Sequence, residues 1–116
     1  MVTDLGGFAA STFKRGLAYI NIPTTLLSMV DASVGGKTGI NFGGLKNEIG
    51  VFNNANCVIL DTIFLRTMDA ENMLSGYAEM LKHGLISNEQ TWAELLNFDL
   101  DDLVKLGDLV EKSVAV

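Results

Sequence analysis

The sequence predicts an α/β portion followed by the start of an all-helical domain, and two observations support this prediction. Nine of the twelve glycines lie in the first 50 residues and one in the last 30, so a turn-rich composition gives way to a helical one. Two short apolar runs, 17–22 and 56–61, alternate with helix candidates, which is typical of layered α/β folds. We therefore predict a division at residue 66, with 1–66 as the α/β part and 67–116 as the helical part.

The α/β part opens with a helix candidate at 4–16. Thr3 or Asp4 can cap its beginning, and Gly16 suits its end. A second candidate, 24–33, begins with threonine residues directly after a proline, which is a favourable start for a helix. Two helices are thus expected in this part.

The two apolar runs are predicted to be strands. The run 17–22 ends at Pro23 and the run 56–61 at an aspartate, and both contain β-branched residues. Their continuous apolar character predicts burial on both faces. Cys57, in the second run, is expected to be a buried small hydrophobic residue. As the chain's single cysteine it can form no internal disulfide, which indicates a reducing compartment.

Three helices are predicted in the helical part. The segment 69–86 carries apolar residues at helical spacing, and 88–98 follows it. Asp99 or Asp101 can cap the last helix, 102–116. This helix ends without a glycine, proline or polar tail, and the first one begins at once, so a fragment of a longer protein is expected.

The charge pattern excludes some partners. Residues 1–66 hold five Lys/Arg against four Asp/Glu, whereas 67–116 hold three against ten, within a net charge of −6. An acidic second half argues against binding to nucleic acid, which requires a basic face.

No apolar run has membrane-spanning length and no signal peptide is recognisable, so no membrane association and a cytoplasmic location are expected.

The stretch DASVGGKTGIN, 31–41, carries the first candidate site. Its second half fits the phosphate-binding pattern G-x-x-x-x-G-K-[ST], but Asp31 stands where the leading glycine should be. A carboxylate there would repel a nucleotide phosphate and is better suited to binding hydroxyls. With Lys37 available for an anion, the stretch favours a phosphorylated polyol as ligand.

Two further cationic positions lie near glycines. Lys46 and Asn47, between Gly44 and Gly50, can donate to an oxyanion, although a solvated turn would have the same pattern. Arg15, at a predicted helix end, can satisfy the terminal carbonyl groups and the helix dipole without any other role.

The segment GYAEMLKHG places Glu79, Lys82 and His83 on one face of a helix. A Glu and His pair four residues apart has chelating geometry for zinc, but a catalytic zinc site usually has three protein ligands. An exposed ion pair between Glu79 and Lys82, with His83 at the surface, explains the spacing equally well.

Taken in order, four segments resemble the 3-dehydroquinate synthase family: 4–16, 22–41, 45–52 and 75–86. The resemblance implies a Rossmann-like NAD-binding domain followed by a helical domain, with the active site between them. It implies tightly bound NAD, a divalent metal (zinc or cobalt) and a homodimer in the full-length protein. The implied reaction converts 3-deoxy-D-arabino-heptulosonate 7-phosphate, a sugar phosphate, into 3-dehydroquinate and phosphate in the shikimate pathway.

The resemblance also implies roles for individual residues. Asp31 holds substrate hydroxyls, Lys82 faces the substrate and Glu79 is one metal ligand. The substrate phosphate is contacted by Asn47, by Lys37 and Lys46 at its junction with the cofactor, and by Arg15 across the dimer interface. The NAD contacts implied are Asp4, Thr24, Thr25, Lys37, Lys46, Phe64, Leu65, Arg66 and Thr67.

The sequence departs from the family pattern at His83. His83 stands where the family commonly has tyrosine, so the resemblance gives it no role.

The alternative functions nearest to this one are those of a sister sugar phosphate cyclase that makes an inosose, an amino-dehydroquinate or a valiolone, and of a metal-dependent polyol dehydrogenase. A non-catalytic nucleotide-binding module or a helical interaction domain is a rival of another class. Because two metal histidines are expected outside this sequence, the 116 residues alone are expected to be inactive.

Overall fold

The structure is a computed structural model that describes residues 2–99 and 101–115 as two compact units. The first unit comprises Met1–Pro23 and Ala32–Leu60, and the second Thr24–Asp31 and Asp61–Val116. The contacts thus assign 24–31 and 61–66 to the helical unit, because their apolar side chains fill its core. The domain division at residue 66 stays a prediction for the full-length protein.

The first unit begins with helix α1, Val2–Thr12, followed by a 3-10 turn, Phe13–Arg15. The helix starts before the expected capping residues, so Asp4 lies in its first turn instead of capping it. Gly16 ends the segment as predicted: its φ is 116°, and its N–H donates to the Phe13 carbonyl at 2.9 Å.

Both predicted strands exist, but they are short and exposed. Strand β1, Ile20–Asn21, pairs in parallel with strand β4, Cys57–Val58. Ile20 is 55% exposed and Val58 36%, and Cys57 is exposed as well, so the prediction of burial was wrong. The physical reason is that, among the described residues, only these two strands form this sheet, which leaves its edges and faces open.

An antiparallel hairpin was not predicted. It pairs β2, Ile40–Phe42, with β3, Leu45–Ile49, in the register Ile40↔Ile49 and Phe42↔Leu45. The two residues between the strands, Gly43 and Gly44, have φ of 60° and 79°, the positive values that a tight hairpin turn requires. A Gly-Gly pair between two strand-like runs was therefore the available sequence signal.

The segment predicted as helix 24–33 forms one helical turn that widens into a π-helical segment, Ser28–Ala32. The Thr25 hydroxyl accepts a hydrogen bond from the Ser28 N–H at 3.3 Å, as a capping threonine does. The helical prediction is confirmed here, with wider turns than expected.

Four helices follow in the second unit. They are a 3-10 helix Thr62–Thr67, α2 Ala70–Ser87, α3 Glu89–Leu96 and α4 Leu103–Val114. Asp102 caps α4 by accepting from the Lys105 N–H at 3.2 Å. The predicted caps were wrong, because Asp99 instead accepts from the Asp101 N–H at 3.0 Å and closes the preceding turn.

The helical unit has a continuous apolar core. Its buried members are Leu26, Met29, Val30, Leu65, Met73, Met80, Leu95, Leu106, Leu109 and Val110. A Cβ atom on Gly76 would lie 2.6 Å from the Leu26 side chain, so this glycine allows α2 to approach the 24–31 segment closely. The helices in the described part of the chain are all too short or too polar to cross a membrane.

Candidate functional site

Three of the residues predicted to contact the substrate or the metal lie in the helical unit: Asp31, Glu79 and Lys82. Glu79 and Lys82 are one turn apart on α2, and their carboxylate and ammonium groups form a direct ion pair. Glu79 is partly buried, with 21% of its side chain exposed, whereas the Lys82 side chain is 58% exposed. The ion pair expected from the spacing is confirmed.

The charge state of Lys82 follows from these neighbours. The hydrogen bond to Glu79 raises the pKa of Lys82 above its ordinary value, and the negative charge of Asp31 raises it further. The Lys82 side chain therefore remains a cation near neutral pH and can attract an anionic or electron-rich ligand group.

His83 differs from the expectation of a surface residue, because only 14% of its side chain is exposed. Its Nδ1 atom lies 2.5 Å from the Ser113 hydroxyl on α4, and its Nε2 atom lies 3.5 Å from the Glu79 carboxylate. Sequence spacing placed His83 beside Glu79 but gave no signal for the contact with α4.

Glu79 is the only member of the helical unit that the family resemblance assigns to a metal. Within 2–99 and 101–115 there is no group of three or more His, Cys, Asp or Glu side chains that could hold a metal ion. A catalytic zinc site usually needs three protein ligands. The described residues therefore contain one predicted carboxylate ligand and not a complete site.

A second group of predicted residues lines a cavity in the first unit. The cavity has a volume of about 500 Å³. Its walls are formed by Asp4, Leu5, Gly39, Ile40, Asn41, Lys46 and Asn47. Asp4 projects from α1, and its carbonyl accepts a hydrogen bond from the Gly39 N–H at 3.2 Å, which ties the helix to the hairpin. One carboxylate, one ammonium and two amides thus meet around one opening.

A bulge in the hairpin presents Lys46 and Asn47. Between the paired positions, Asn41 on β2 faces three residues of β3, so the register shifts at this point. Asn47 has a φ of 53°, and its N–H donates to the Asn41 side-chain oxygen at 3.0 Å. Bulges redirect side chains in this way and are frequent beside active sites. Asn41 was missed by the sequence reasoning, although asparagine commonly supports such left-handed positions.

The glycine pair before Lys37 has a structural explanation. A Cβ atom on Gly36 would collide with the Asn54 side chain, and the Gly36 carbonyl accepts from the Asn53 N–H at 2.7 Å. The loop is therefore shaped by packing against 53–54. Lys37 lines a separate cavity of about 210 Å³ in the same unit, together with Thr3 and Ser33.

The remaining predicted residues have varied surroundings. Thr24 and Thr25 are exposed at the start of the 24–31 segment, and Arg15 is exposed with a φ of 65°. Phe64, Arg66 and Thr67 are exposed on the 3-10 helix, but Leu65 is 3% exposed and belongs to the apolar core. Only the main chain of Leu65 is available to a cofactor.

Comparison with known proteins places these observations in a family. The family model described as the N-terminal part of 3-dehydroquinate synthase matches residues 1–75. The whole chain is 60% identical to the 3-dehydroquinate synthase of Parabacteroides distasonis and spans 33% of that protein.

Two solved structures share the fold. One is 2-epi-5-epi-valiolone synthase from Streptomyces hygroscopicus subsp. jinggangensis 5008, with NAD+ and Zn2+ bound: TM-score 0.89, identity 34%, coverage 97% of this chain and 33% of that chain. The other is 2-deoxy-scyllo-inosose synthase complexed with carbaglucose-6-phosphate, NAD+ and Co2+: TM-score 0.79, identity 26%, coverage 94% and 31%. The expected Rossmann-like fold, followed by helices, is confirmed by this likeness.

The family model covers more than half of the chain, and the matched range, 1–75, includes Asp4, Asp31, Lys37, Lys46 and Asn47. The chain therefore belongs to the 3-dehydroquinate synthase family.

Proposed function

We propose that the full-length protein is a 3-dehydroquinate synthase. It converts 3-deoxy-D-arabino-heptulosonate 7-phosphate into 3-dehydroquinate and inorganic phosphate, as a phosphate-eliminating carbon–oxygen lyase. The observation that carries the proposal is the grouping of Asp31, Glu79 and Lys82 in the helical unit. A hydroxyl-binding carboxylate, a metal-binding carboxylate and a lysine cation are the groups that a phosphorylated polyol requires.

The side chains proposed to bind the substrate phosphate are two lysines and one asparagine of the first unit. Lys37, Lys46 and Asn47 donate hydrogen bonds to the phosphate oxygens and stabilise the negative charge as the carbon–oxygen bond breaks. Asp31 accepts hydrogen bonds from substrate hydroxyls and so orients the ring. Lys82 faces the same part of the substrate from α2.

NAD is the proposed redox cofactor. Asp4 is a partly buried carboxylate beside Lys46 in the 500 Å³ cavity, and a carboxylate there fits the hydroxyls of a ribose. Thr24, Thr25 and the 64–67 segment complete the proposed contacts. When bound, NAD would accept a hydride from the ring carbon that bears the oxidised hydroxyl, with loss of the hydroxyl proton, and would later return the hydride, while the protein supplies orientation.

A divalent metal, zinc or cobalt, is the second proposed cofactor. The donor chemistry of Glu79 fits such an ion, because Glu79 is a partly buried carboxylate that lies outside the apolar core. The other ligands are proposed to come from outside the described residues. A bound metal lowers the pKa of a coordinated hydroxyl and so eases its oxidation.

Assembly and location are part of the same proposal. Residues 1–66 are assigned to the NAD-binding domain and 67–116 to the helical metal and substrate domain of a cytoplasmic homodimer. Arg15 is proposed to reach the substrate phosphate of the partner, and its exposure leaves the guanidinium group available for this. No nucleic acid or membrane takes part, and the pathway is that of aromatic amino acid biosynthesis.

A sister cyclase activity is the second candidate. The TM-score of 0.89 with the valiolone synthase favours it, because enzymes that share one fold can form different products. The 60% identity with a 3-dehydroquinate synthase favours the first candidate.

The deciding experiment is an assay of phosphate release and product formation by the full-length protein. It is incubated with heptulosonate phosphate or with glucose 6-phosphate, each with NAD and zinc. Turnover of the heptulosonate to 3-dehydroquinate, abolished in Asp31→Asn, supports the proposal. Turnover of glucose 6-phosphate alone would assign the protein to the inosose-forming sister cyclases. Turnover of neither substrate would refute both the 3-dehydroquinate synthase and the inosose synthase activity.

A further inference from the structure

A buried serine holds the imidazole of His83. Ser113 lies on the inner face of α4 and is 5% exposed. Its hydroxyl lies 2.5 Å from His83 Nδ1, and this is a contact between residues thirty positions apart. A buried hydroxyl needs a hydrogen-bond partner, so this contact fixes the ring of His83 relative to α4.

The other nitrogen of the same ring faces Glu79. His83 Nε2 lies 3.5 Å from Glu79 Oε1, and the closest approach of Lys82 is to that same oxygen. Both neighbours thus engage one oxygen of the carboxylate most closely. Oε2 is left as the less engaged oxygen and is the one better able to bind a further cation.

The hydrogen positions follow from the partners. A carboxylate can only accept hydrogen bonds, so a neutral His83 ring that faces Glu79 carries its hydrogen on Nε2. Nδ1 is then an acceptor, and the Ser113 hydroxyl donates to it. In this tautomer the Ser113 hydroxyl donates to Nδ1, and the Nε2–H lies 3.5 Å from the Glu79 carboxylate, which is longer than a normal hydrogen bond.

We propose that His83 is a positioning residue for Glu79: anchored by Ser113, it restrains one carboxylate oxygen and directs the other towards the divalent metal. This inference rests on the proposed function, which makes Glu79 a metal ligand. Partners of this kind are known to orient ligands that bind metals directly, and their loss weakens metal binding. At 3.5 Å the contact to Glu79 exceeds a normal hydrogen bond, so its contribution is orientation more than stability.

The test is made on the full-length protein, stripped of metal, by competition for Zn²⁺ with a chromophoric chelator. Three variants are compared with the wild type: His83→Leu removes both ring nitrogens, Ser113→Ala removes only the donor to Nδ1, and His83→Gln restores a side-chain N–H near Glu79. We expect His83→Leu to weaken Zn²⁺ binding by about 10- to 100-fold. Ser113→Ala should weaken it less, and His83→Gln should recover part of the loss.

A second measurement reports on the ring itself. The ¹⁵N chemical shifts of His83 in the metal-free protein should show the Nε2–H tautomer, and Ser113→Ala should reduce that preference. A merely structural role would change the melting temperature of the metal-free variants but leave their Zn²⁺ affinity unchanged. Unchanged Zn²⁺ affinity in both His83→Leu and Ser113→Ala would overturn the proposal.

Glu79→Gln separates this proposal from the function on which it rests. If Glu79→Gln leaves Zn²⁺ affinity unchanged, Glu79 is not a metal ligand, and both the metal assignment and the role of His83 fail. If Glu79→Gln weakens binding while the His83 and Ser113 variants do not, only the role of His83 fails.

Discussion

The side-chain oxygen of Asn41 accepts a hydrogen bond from the Asn47 N–H at 3.0 Å and holds the bulge of the hairpin. Asn41→Ala should therefore lower the free energy of unfolding by about 1 kcal/mol, the usual contribution of one hydrogen bond. It should also raise the KM for the phosphorylated substrate in the full-length protein, because Lys46 and Asn47 lose their fixed orientation. Urea denaturation and steady-state kinetics measure the two effects.

Asn41→Asp is the matched control for stability, since its carboxylate oxygen can accept the same hydrogen bond. Its unfolding free energy should stay near that of the wild type. Equal stability of Asn41→Ala and the wild type would contradict a supporting role for this contact.

Leu26→Ala tests whether the 24–31 segment belongs to the core of the helical unit. Leu26 is fully buried, so its truncation should lower the unfolding free energy by about 2–5 kcal/mol. The neighbouring Leu27 is 37% exposed, and Leu27→Ala should change the unfolding free energy by about 0.5 kcal/mol at most. Loss of helical circular dichroism in urea measures both, and similar values for the pair would contradict the assignment.

Gly76→Ala should destabilise the helical unit although alanine favours helices. The added Cβ would lie 2.6 Å from Leu26 and 2.7 Å from the Leu27 nitrogen, and such overpacking costs about 1–3 kcal/mol. Gly107→Ala on α4 is the control, because its nearest neighbour, Thr62, would be 3.8 Å away. There we expect a gain of up to about 1 kcal/mol from helix propensity. Thermal unfolding gives the sign of each change, and stabilisation by Gly76→Ala would show that α2 does not pack as described.

Acid should weaken the contact between α3 and α4. Lys112 Nζ lies 2.7 Å from Glu94 Oε2, and this hydrogen bond lowers the pKa of Glu94 below its ordinary range. A lowered carboxyl pKa stabilises the folded state above the unfolded value of about 4.3, and this contribution is lost as the pH falls through the folded value. Lys112→Met should therefore raise the pKa of Glu94 in an NMR titration.

The control for that titration is Lys105→Met. Lys105 acts on Glu94 only through its charge, as the weakest of the causes, so its removal should move the Glu94 pKa less. Because both side chains of the pair are substantially exposed, its effect should also fade in high salt. An unchanged pKa of Glu94 in Lys112→Met would show that the ion pair does not form in solution.

The 116-residue polypeptide should release no phosphate from heptulosonate phosphate, even with NAD and zinc added. The described residues contain one proposed metal ligand, Glu79, and no group of three candidate ligands, whereas a catalytic zinc site usually has three. Phosphate release is measured in the same assay as for the full-length protein. Robust turnover by these residues alone would refute the proposed metal site.

Helix positions were predictable from the sequence because they depend on local patterns. The apolar spacing of α2 and the glycine that ends the 3-10 turn after α1 both act within a few residues, and both predictions are confirmed. The predicted caps of α4, Asp99 or Asp101, lie three residues or one residue before the observed cap, since Asp99, Asp101 and Asp102 are equivalent as capping types and only the turn geometry separates them.

Contacts between distant segments were not predictable in the same way. Nothing local signals that Ser113 meets His83, or that Asn41 supports Asn47 across a bulge. The exposure of β1 and β4 was likewise missed, because strand burial depends on which other elements lie beside the pair. The pattern around Glu79 and Lys82, in contrast, fixed their proximity through helix geometry alone.

The division of the helical unit between 24–31 and 61–116 has a consequence during synthesis. Leu26, Met29 and Val30 leave the ribosome long before α4, against whose unit they pack. At about 5–20 residues per second, roughly ten seconds separate the two segments. During that interval these apolar side chains have only their earlier partners, such as Gly76 on α2, so the core is incomplete and the nascent chain is exposed to aggregation and to chaperone binding until α4 has emerged.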